Sequence, residues 1–432
     1  MPNSIGYLIV SILLSSLPAQ AALSIMQGPT SETTTELTVL ARREQVLKFE
    51  VQGRRSIAHM QTYPGSPWVL HRIRLEDLDP DQVYELSVLD LEGNQVDHRR
   101  FGTLNSKKKS HRVAVGSCMI RQLHNPFLWS QLAQPQNRPD MLLLLGDTTY
   151  LDRSLLLRER RPTTGLEVWE QFVKMRQRLG YFSWSELVPV QAVWDDHDSG
   201  GNNVDGHFAL MPEIRRIFEM FFPRDDGDRK SQGPGLARRF EFFGRNFVML
   251  DGRSFRDLEA DSPAFGGEQE KFLFKSLRPG LNFISNGIQF FGGPLEKNSV
   301  EHNWSRYLPL FMSKLKQAAD AVGATIVFLS GDVHFSEVLD IEPDWLGYRT
   351  VEITSSNIHS FGFPGHYLLK PRNPRRRVVT GTHNIVLLEF SSQSSGFDFV
   401  TRSLGWRGND LFRTVVSISG RQTCELALVN GP

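Results

Sequence analysis

The stretch LLLLGDTTYLD (residues 142–152) opens as four leucines and turns at a Gly-Asp pair. A short, unbroken apolar run bounded by a turn signal reads as a strand buried on both faces, as in layered α/β proteins. Sites in such folds gather where strands end and loops begin, so the run delivers Asp147 to a site. Tyr150 follows three residues behind, where a second acid would make simpler metal chemistry.

The pattern recurs along the chain. RVAVGSC, PVQAVWDDHD, RNFVMLDGR, GIQFFGG and ATIVFLSGDVH are further apolar runs that end in polar or glycine-rich turns. Between them GLEVWEQFVKMRQRLGYF, MPEIRRIFEMFF, GGEQEKFLFKSL and LPLFMSKLKQAADAV carry helical spacing of apolar residues. From residue 348 onward YRTVEITSS, HNIVLLEFSS, GFDFVTRSLG and TVVSISG read as strands again. The expectation is an α/β fold of two packed mixed sheets with helices outside, over residues 111–432.

Upstream, residues 22–105 read as short β-rich segments, TTTELTVLA, VLKFEVQ, WVLHRIRL and YELSVLDLEGNQVDHRRF, the last a hairpin through Glu92-Gly93-Asn94. Leu78, Pro80 and Tyr84 have the spacing of the tyrosine corner of fibronectin modules. A small fibronectin- or Ig-like β-sandwich is expected there, joined to the rest by the basic linker NSKKKS, with residues 106–110 as the connector. Within residues 1–21 an apolar run from Ile5 to Leu17 precedes Pro18 and Ala19-Gln20-Ala21, and the whole reads as an export signal cleaved near Ala21. No later segment is apolar enough to span a bilayer. The expected location is therefore periplasmic or extracellular.

Bulk properties narrow the partners. The 432 residues are 40% hydrophobic and 22% charged, and the net charge of +1 gives no broad pull toward nucleic acid or anionic membrane. No nucleic-acid-binding module is evident, and a monomer is expected. The only two cysteines, Cys118 and Cys424, are far apart and are expected to be free thiols. A disulfide-stabilised structural protein would require them to be bonded.

Four strand ends in order offer ligand-type residues: Ser117-Cys118, Asp147 with Tyr150, Trp194-Asp195-Asp196-His197-Asp198, and Asp332 with His334. Consecutive titratable residues after AVW are costly to bury unless a cation neutralises them. Two metal ions can clamp a phosphate and activate water near neutral pH. Asp147 is the candidate bridge between them, and His197 the acid for the leaving alcohol.

At this point the sequence resembles the calcineurin-like metallophosphoesterases, and within them the PhoD-like alkaline phosphatases. That branch carries Ser-Cys, Gly-Asp-x-x-Tyr, Trp-Asp-Asp-His-Asp/Glu with an Asn shortly after, and Gly-Asp-x-His. LDGRSF, EQEKFL, FISNGIQF and EITSSNIHSF extend the match, which covers residues 111–389. The resemblance implies a metallophosphoesterase four-layer sandwich and an exported hydrolase of phosphoric monoesters or diesters. It implies ferric iron beside calcium, with other divalent metals compatible. Carried over, Cys118, Asp147, Tyr150 and His334 would hold iron, and Asp196, Asn202 and Asp332 would serve the calcium side. Thiolate and phenolate donors suit ferric iron, and carboxylate and amide oxygens suit calcium. Arg253 would brace the substrate phosphate, unless it forms a structural ion pair, and Asn202 would help to bind substrate. Thr148 stands where some relatives have a phosphate-binding arginine. A basic loop, RSLLLRERRP, follows the site. The alternative is a catalytically retired metal-binding or adhesion protein on the same scaffold.

Overall fold

The structure, a computed structural model, describes residues 23–108, 110–152, 160–225, 228–257, 259–293, 298–369, 372–391, 398–419 and 423–428. The segment expected to be an export signal and most of the basic loop lie outside them, as does the side chain of Cys424.

Eight strands come first: β1 (Ser24–Thr30), β2 (Thr35–Arg42), β3 (Lys48–Val51), β4 (Arg54–Ser56), β5 (His59–Thr62), β6 (Trp68–Leu75), β7 (Val83–Leu89) and β8 (Gln95–Gly102). They form two four-stranded antiparallel sheets, ordered β1-β2-β6-β5 and β4-β3-β7-β8. Alternate residues from both, among them Leu37, Val39, Ile73, Leu86, Val88 and Phe101, close on one apolar core. The turn from β7 to β8 is held by the Asn94 N–H, which donates to Asp90 Oδ1 at 2.8 Å. The Tyr84 hydroxyl accepts the Asp79 N–H at 2.8 Å, as the spacing around it implied.

The rest of the chain contributes β9 (His111–Gly116), β10 (Met141–Leu145), β11 (Val190–Val193), β12 (Arg238–Phe242), β13 (Arg245–Met249), β14 (Gly280–Ser285), β15 (Ala324–Ser330), β16 (Ser336–Ile341), β17 (Thr350–Thr354), β18 (Arg376–Thr380), β19 (Asn384–Phe390), β20 (Phe399–Gly405), β21 (Asp410–Ser419) and β22 (Thr423–Leu428). These make two seven-stranded mixed sheets, β11-β10-β9-β19-β20-β21-β22 and β12-β13-β14-β15-β17-β16-β18. The helices are α1 (Pro126–Ala133), α2 (Gly165–Arg178), α3 (Asp196–Ser199), α4 (Met211–Phe221), α5 (Gly267–Ser276), α6 (Val300–Asn303) and α7 (Leu308–Val322).

Burial on both faces explains the unbroken apolar strands. Val113, Val115, Leu143 and Leu145 enter a core shared with Phe247, Phe283, Val327 and Leu329 of the other sheet. Their neighbours Ala114, Leu142 and Leu144 pack with Trp129, Phe172 and Phe218 of α1, α2 and α4. On the other sheet Ile284, Ile326 and Phe328 pack with Leu273, Phe311 and Leu315 of α5 and α7.

Register positions the site. β9, β10 and β11 run parallel with Gly116 opposite Leu144 and Leu145 opposite Val193, so their C-terminal ends lie level. In the second sheet β13, β14, β15 and β17 also run parallel, with Met249 opposite Ser285 and Ser330 opposite Thr354. Loops carrying Cys118, Asp147 and Asp195 therefore emerge beside one another, as do those carrying Arg253, Asn286, Asp332 and Ser356.

One expected strand is absent. GIQFFGG follows β14 as irregular chain, because the Phe290 and Phe291 N–H groups donate to the two oxygens of Glu352 at 2.7 and 2.8 Å. A carboxylate on β17 takes the place of a strand ladder there.

Candidate metal centre

Each site loop leaves its strand through unusual backbone. Cys118, Asp147, Asp332 and His334 have φ values of 62°, 52°, 69° and 61°, in the left-handed region that side chains rarely adopt. Such residues cost on the order of 1–3 kcal/mol each and gather at functional sites. Gly146 and Gly287 are required by close approach. A Cβ on either would lie 2.4 Å from Asp195 Cβ or 2.5 Å from its Cγ, so the two glycines clamp Asp195.

Three groups of potential ligands overlap. Cys118, Asp147 and His334 form the first; Asp147, Asp196 and His197 the second; Asp195, Asp196 and Asp332 the third, each group with its ligand atoms within 4.8 Å of one another. Asp147 is shared by the first two and Asp196 by the last two. Cys118 is free and buried. Its Sγ lies 3.6 Å from Asp147 Oδ2 and accepts from the Ser356 hydroxyl at 3.0 Å. Ser356 in turn accepts the His334 N–H at 2.8 Å, tying two of the loops together. The Tyr150 hydroxyl lies 3.1 Å from Asp147 Oδ2 and 3.3 Å from His334 Nε2.

Electrostatics show what this cluster needs. Burial pushes the Cys118 thiol up to about 11. Burial, and then the charges of Cys118 and Asp196, hold the Asp147 carboxyl well above the carboxylate range. The Tyr150 phenol is raised by burial and by Asp147. Asp196 is the exception. Burial opposes its ionisation, but Arg253, His197 and the N–H groups of Asn203 and His197 outweigh burial and hold it below the usual range. With Asp195, Asp198 and Asp332 alongside, these acids cannot all be ionised unless cations join them. Asp147 Oδ1 and Asp195 Oδ2 are buried without hydrogen-bond partners among the described residues, as oxygen atoms open to a cation would be. The donor set fits the metals that the motifs imply: sulfur, phenol and imidazole at one end, carboxylates at the other.

The residues singled out in the sequence meet different fates. Cys118, Asp147, Tyr150, Asp196, His197, Asp332 and His334 come together. Asn202 is exposed, and among the described residues its backbone is what is engaged, through an N–H bond to Asp152 Oδ2 at 3.1 Å and a carbonyl bond from Arg161 at 3.2 Å. Arg253 is buried in an ion pair, with Nε 2.5 Å from Asp195 Oδ1 and Nη2 3.6 Å from Asp196 Oδ2. That is the structural alternative weighed for it. Asp198 braces the loop after β10, accepting from Thr148 Oγ1 at 2.7 Å and the Thr149 N–H at 2.6 Å.

Sequence reasoning missed Asp152. Fully buried, its Oδ1 lies 2.7 Å from His197 Nδ1, and the His197 ring stacks on Tyr150 with centroids 4.2 Å apart. A carboxylate on Nδ1 fixes the tautomer and leaves Nε2 for the site. The signal was present at the end of LLLLGDTTYLD, but nothing local paired it with a histidine 45 positions on. Asp195 was also passed over as a ligand.

Fold and site together define an α/β protein whose aligned strand ends present three overlapping groups of residues that could hold metal ions. The solved structure described as "Structure of PhoD" has this fold: it superposes with a TM-score of 0.73 over 97% of this chain and 93% of its own, at 16% identity. The likeness to PhoD read in the motifs is thus present in the fold. No family model matches the sequence, and no curated protein matches it.

Proposed function

We propose that this chain is an exported, metal-dependent phosphoesterase of the PhoD-like kind. In this reading the two large sheets and their helices are a metallophosphoesterase four-layer sandwich, and the first eight strands are a fibronectin- or Ig-like module. The observation that carries the proposal is the overlap of the ligand groups at Asp147, which stands between a sulfur-imidazole end and a carboxylate end. Ferric iron and calcium bound there would polarise a phosphoryl oxygen and activate water for attack on phosphorus.

The chain's own residues do the rest. Asp152 accepts from His197 Nδ1 and so orients the ring and stabilises its imidazolium form, in which Nε2 would carry the proton for the leaving oxygen. Arg253 holds Asp195 and Asp196 in place and favours the anion at Asp196, a positioning role. Ser356 sets Cys118 and His334 relative to each other. Export rests on the amino-terminal sequence. No helix among the described residues is long and apolar enough to cross a membrane.

The test is turnover of p-nitrophenyl phosphate and bis(p-nitrophenyl) phosphate by protein loaded with iron and calcium. Hydrolysis of either is expected. A loaded, folded protein that turns over neither is a retired scaffold.

A further inference from the structure

Two arginines of the basic loop that follows the site, Arg160 and Arg161, lie among the described residues and are used differently. The Arg160 N–H donates to the Asp152 carbonyl at 2.7 Å, and its guanidinium is paired with Glu167 at 3.0 Å. Arg161 is exposed and meets no carboxylate among the described residues. Its Nη2 donates instead to the Asn202 carbonyl at 3.2 Å.

That contact fixes where the guanidinium sits. The Asn202 carbonyl and the Asn203 N–H belong to one peptide group, and this N–H donates to Asp196 Oδ2 at 2.7 Å. A trans peptide points its oxygen and its N–H in opposite directions, so Arg161 and Asp196 hold the two ends of one planar unit. Peptide bond lengths then keep Nη2 within roughly 8 Å of the Asp196 carboxylate. The preceding N–H, that of Asn202, donates to Asp152 Oδ2 at 3.1 Å, and Asp152 holds His197. The Arg161 stem is pressed on Gly201, where a Cβ would lie 3.0 Å from Arg161 Cγ and 3.1 Å from Asp152 Cβ.

Arg161 also lines a cleft of about 340 Å³ with Leu151, Arg160 and Lys174. The acids of that cleft are engaged, Glu167 with Arg160 and Glu170 with the Ser66 hydroxyl at 2.6 Å. Three cations face two acids there, a local excess of positive charge beside the cluster of site carboxylates. A guanidinium with donors to spare suits the paired oxygens of a carboxylate or phosphate.

We propose that Arg161 is a specificity residue that receives a second anionic group, a carboxylate or a further phosphate, carried on the leaving group of the substrate. His197, read as the acid for the leaving oxygen, is held by the same Asp152 that borders Arg161, so the part of the substrate that reaches Arg161 is the part that departs. The assignment rests on the phosphoesterase reading and names a substrate class for it.

The probes are benzylphosphonate and 4-carboxybenzylphosphonate, which differ by one carboxylate and carry no ester bond. They are titrated calorimetrically into metal-loaded wild type, Arg161→Gln, Arg161→Met and Lys174→Gln, with metal content and melting temperature measured alongside. Wild type is expected to bind the carboxylated probe about threefold to fivefold more tightly, the scale of an exposed ion pair. Both Arg161 variants are expected to lose most of that preference with metal content unchanged. Arg161→Met keeps the stem over Gly201 and decides if Arg161→Gln does not fold. The assignment is overturned by a wild type without the preference, by an undiminished preference in a folded Arg161 variant, or by a loss found in Lys174→Gln and not in Arg161→Gln. Calorimetry needs no turnover. A preference carried by Arg161 in a wild type that hydrolyses neither p-nitrophenyl ester sinks the enzyme reading alone.

Discussion

Asp147→Asn should act in opposite directions with and without metal. The substitution keeps the shape of the side chain and removes one charge from the centre of the cluster. Cys118 Sγ and Asp147 Oδ2 are 3.6 Å apart. Were both ionised, their repulsion at an effective dielectric of about 20 would be about 5 kcal/mol. The metal-free protein resists this ionisation, since burial pushes the Cys118 thiol up to about 11 and burial with the neighbouring charges raises the Asp147 carboxyl. Asparagine therefore relieves a destabilising group, and metal-free Asp147→Asn should melt at or above metal-free wild type. Metal reverses the order. At a thousandfold excess over Kd, wild type gains about 4 kcal/mol, or roughly 4 to 6 °C in melting temperature for a chain of this length. The variant lacks the anionic oxygen common to two ligand groups and should recover less than half of that rise. Differential scanning fluorimetry of chelator-stripped protein, with and without iron and calcium, reads both arms. An equal metal-induced rise in the two proteins would refute the role of Asp147. A stripped variant several degrees below stripped wild type would refute the charge argument.

Asp152→Asn should lower turnover about 10- to 100-fold, as loss of an orienting partner does, with bound metal unchanged; an unaltered rate would remove Asp152 from the site. Tyr150→Phe should abolish any visible phenolate-to-iron absorption, and colour that persists means Tyr150 does not ligate iron. Glu352 is raised by burial from an ordinary 4.5 to about 7. Between those values the folded protein keeps a proton that the unfolded chain has lost, so stability falls as pH rises through that window, by up to ~3 kcal/mol. Urea denaturation from pH 5 to pH 8 should show a flatter profile for Glu352→Gln, and an identical slope would count against the burial argument.

Many of the elements and most of the donor residues are legible in the sequence. Strands buried on both faces write themselves as apolar runs, and the acids or thiol at their ends follow within two or three residues, so Cys118, Asp147, Asp196, Asp332 and His334 were legible. The helix α7 was legible to the residue from its apolar spacing. The tertiary structure alone decided how those polar groups are paired. Asp152 meets His197 across 45 positions, and Arg253 turns to Asp195 across 58. Glu352 claims the N–H groups of Phe290 and Phe291, so an apolar stretch stays out of the sheet. Arg256, three residues from Arg253 and identical to it in kind, meets no carboxylate among the described residues. Periodicity reports local backbone and burial. Which buried charge finds which partner is set by long-range packing, where desolvation makes every unmatched group expensive.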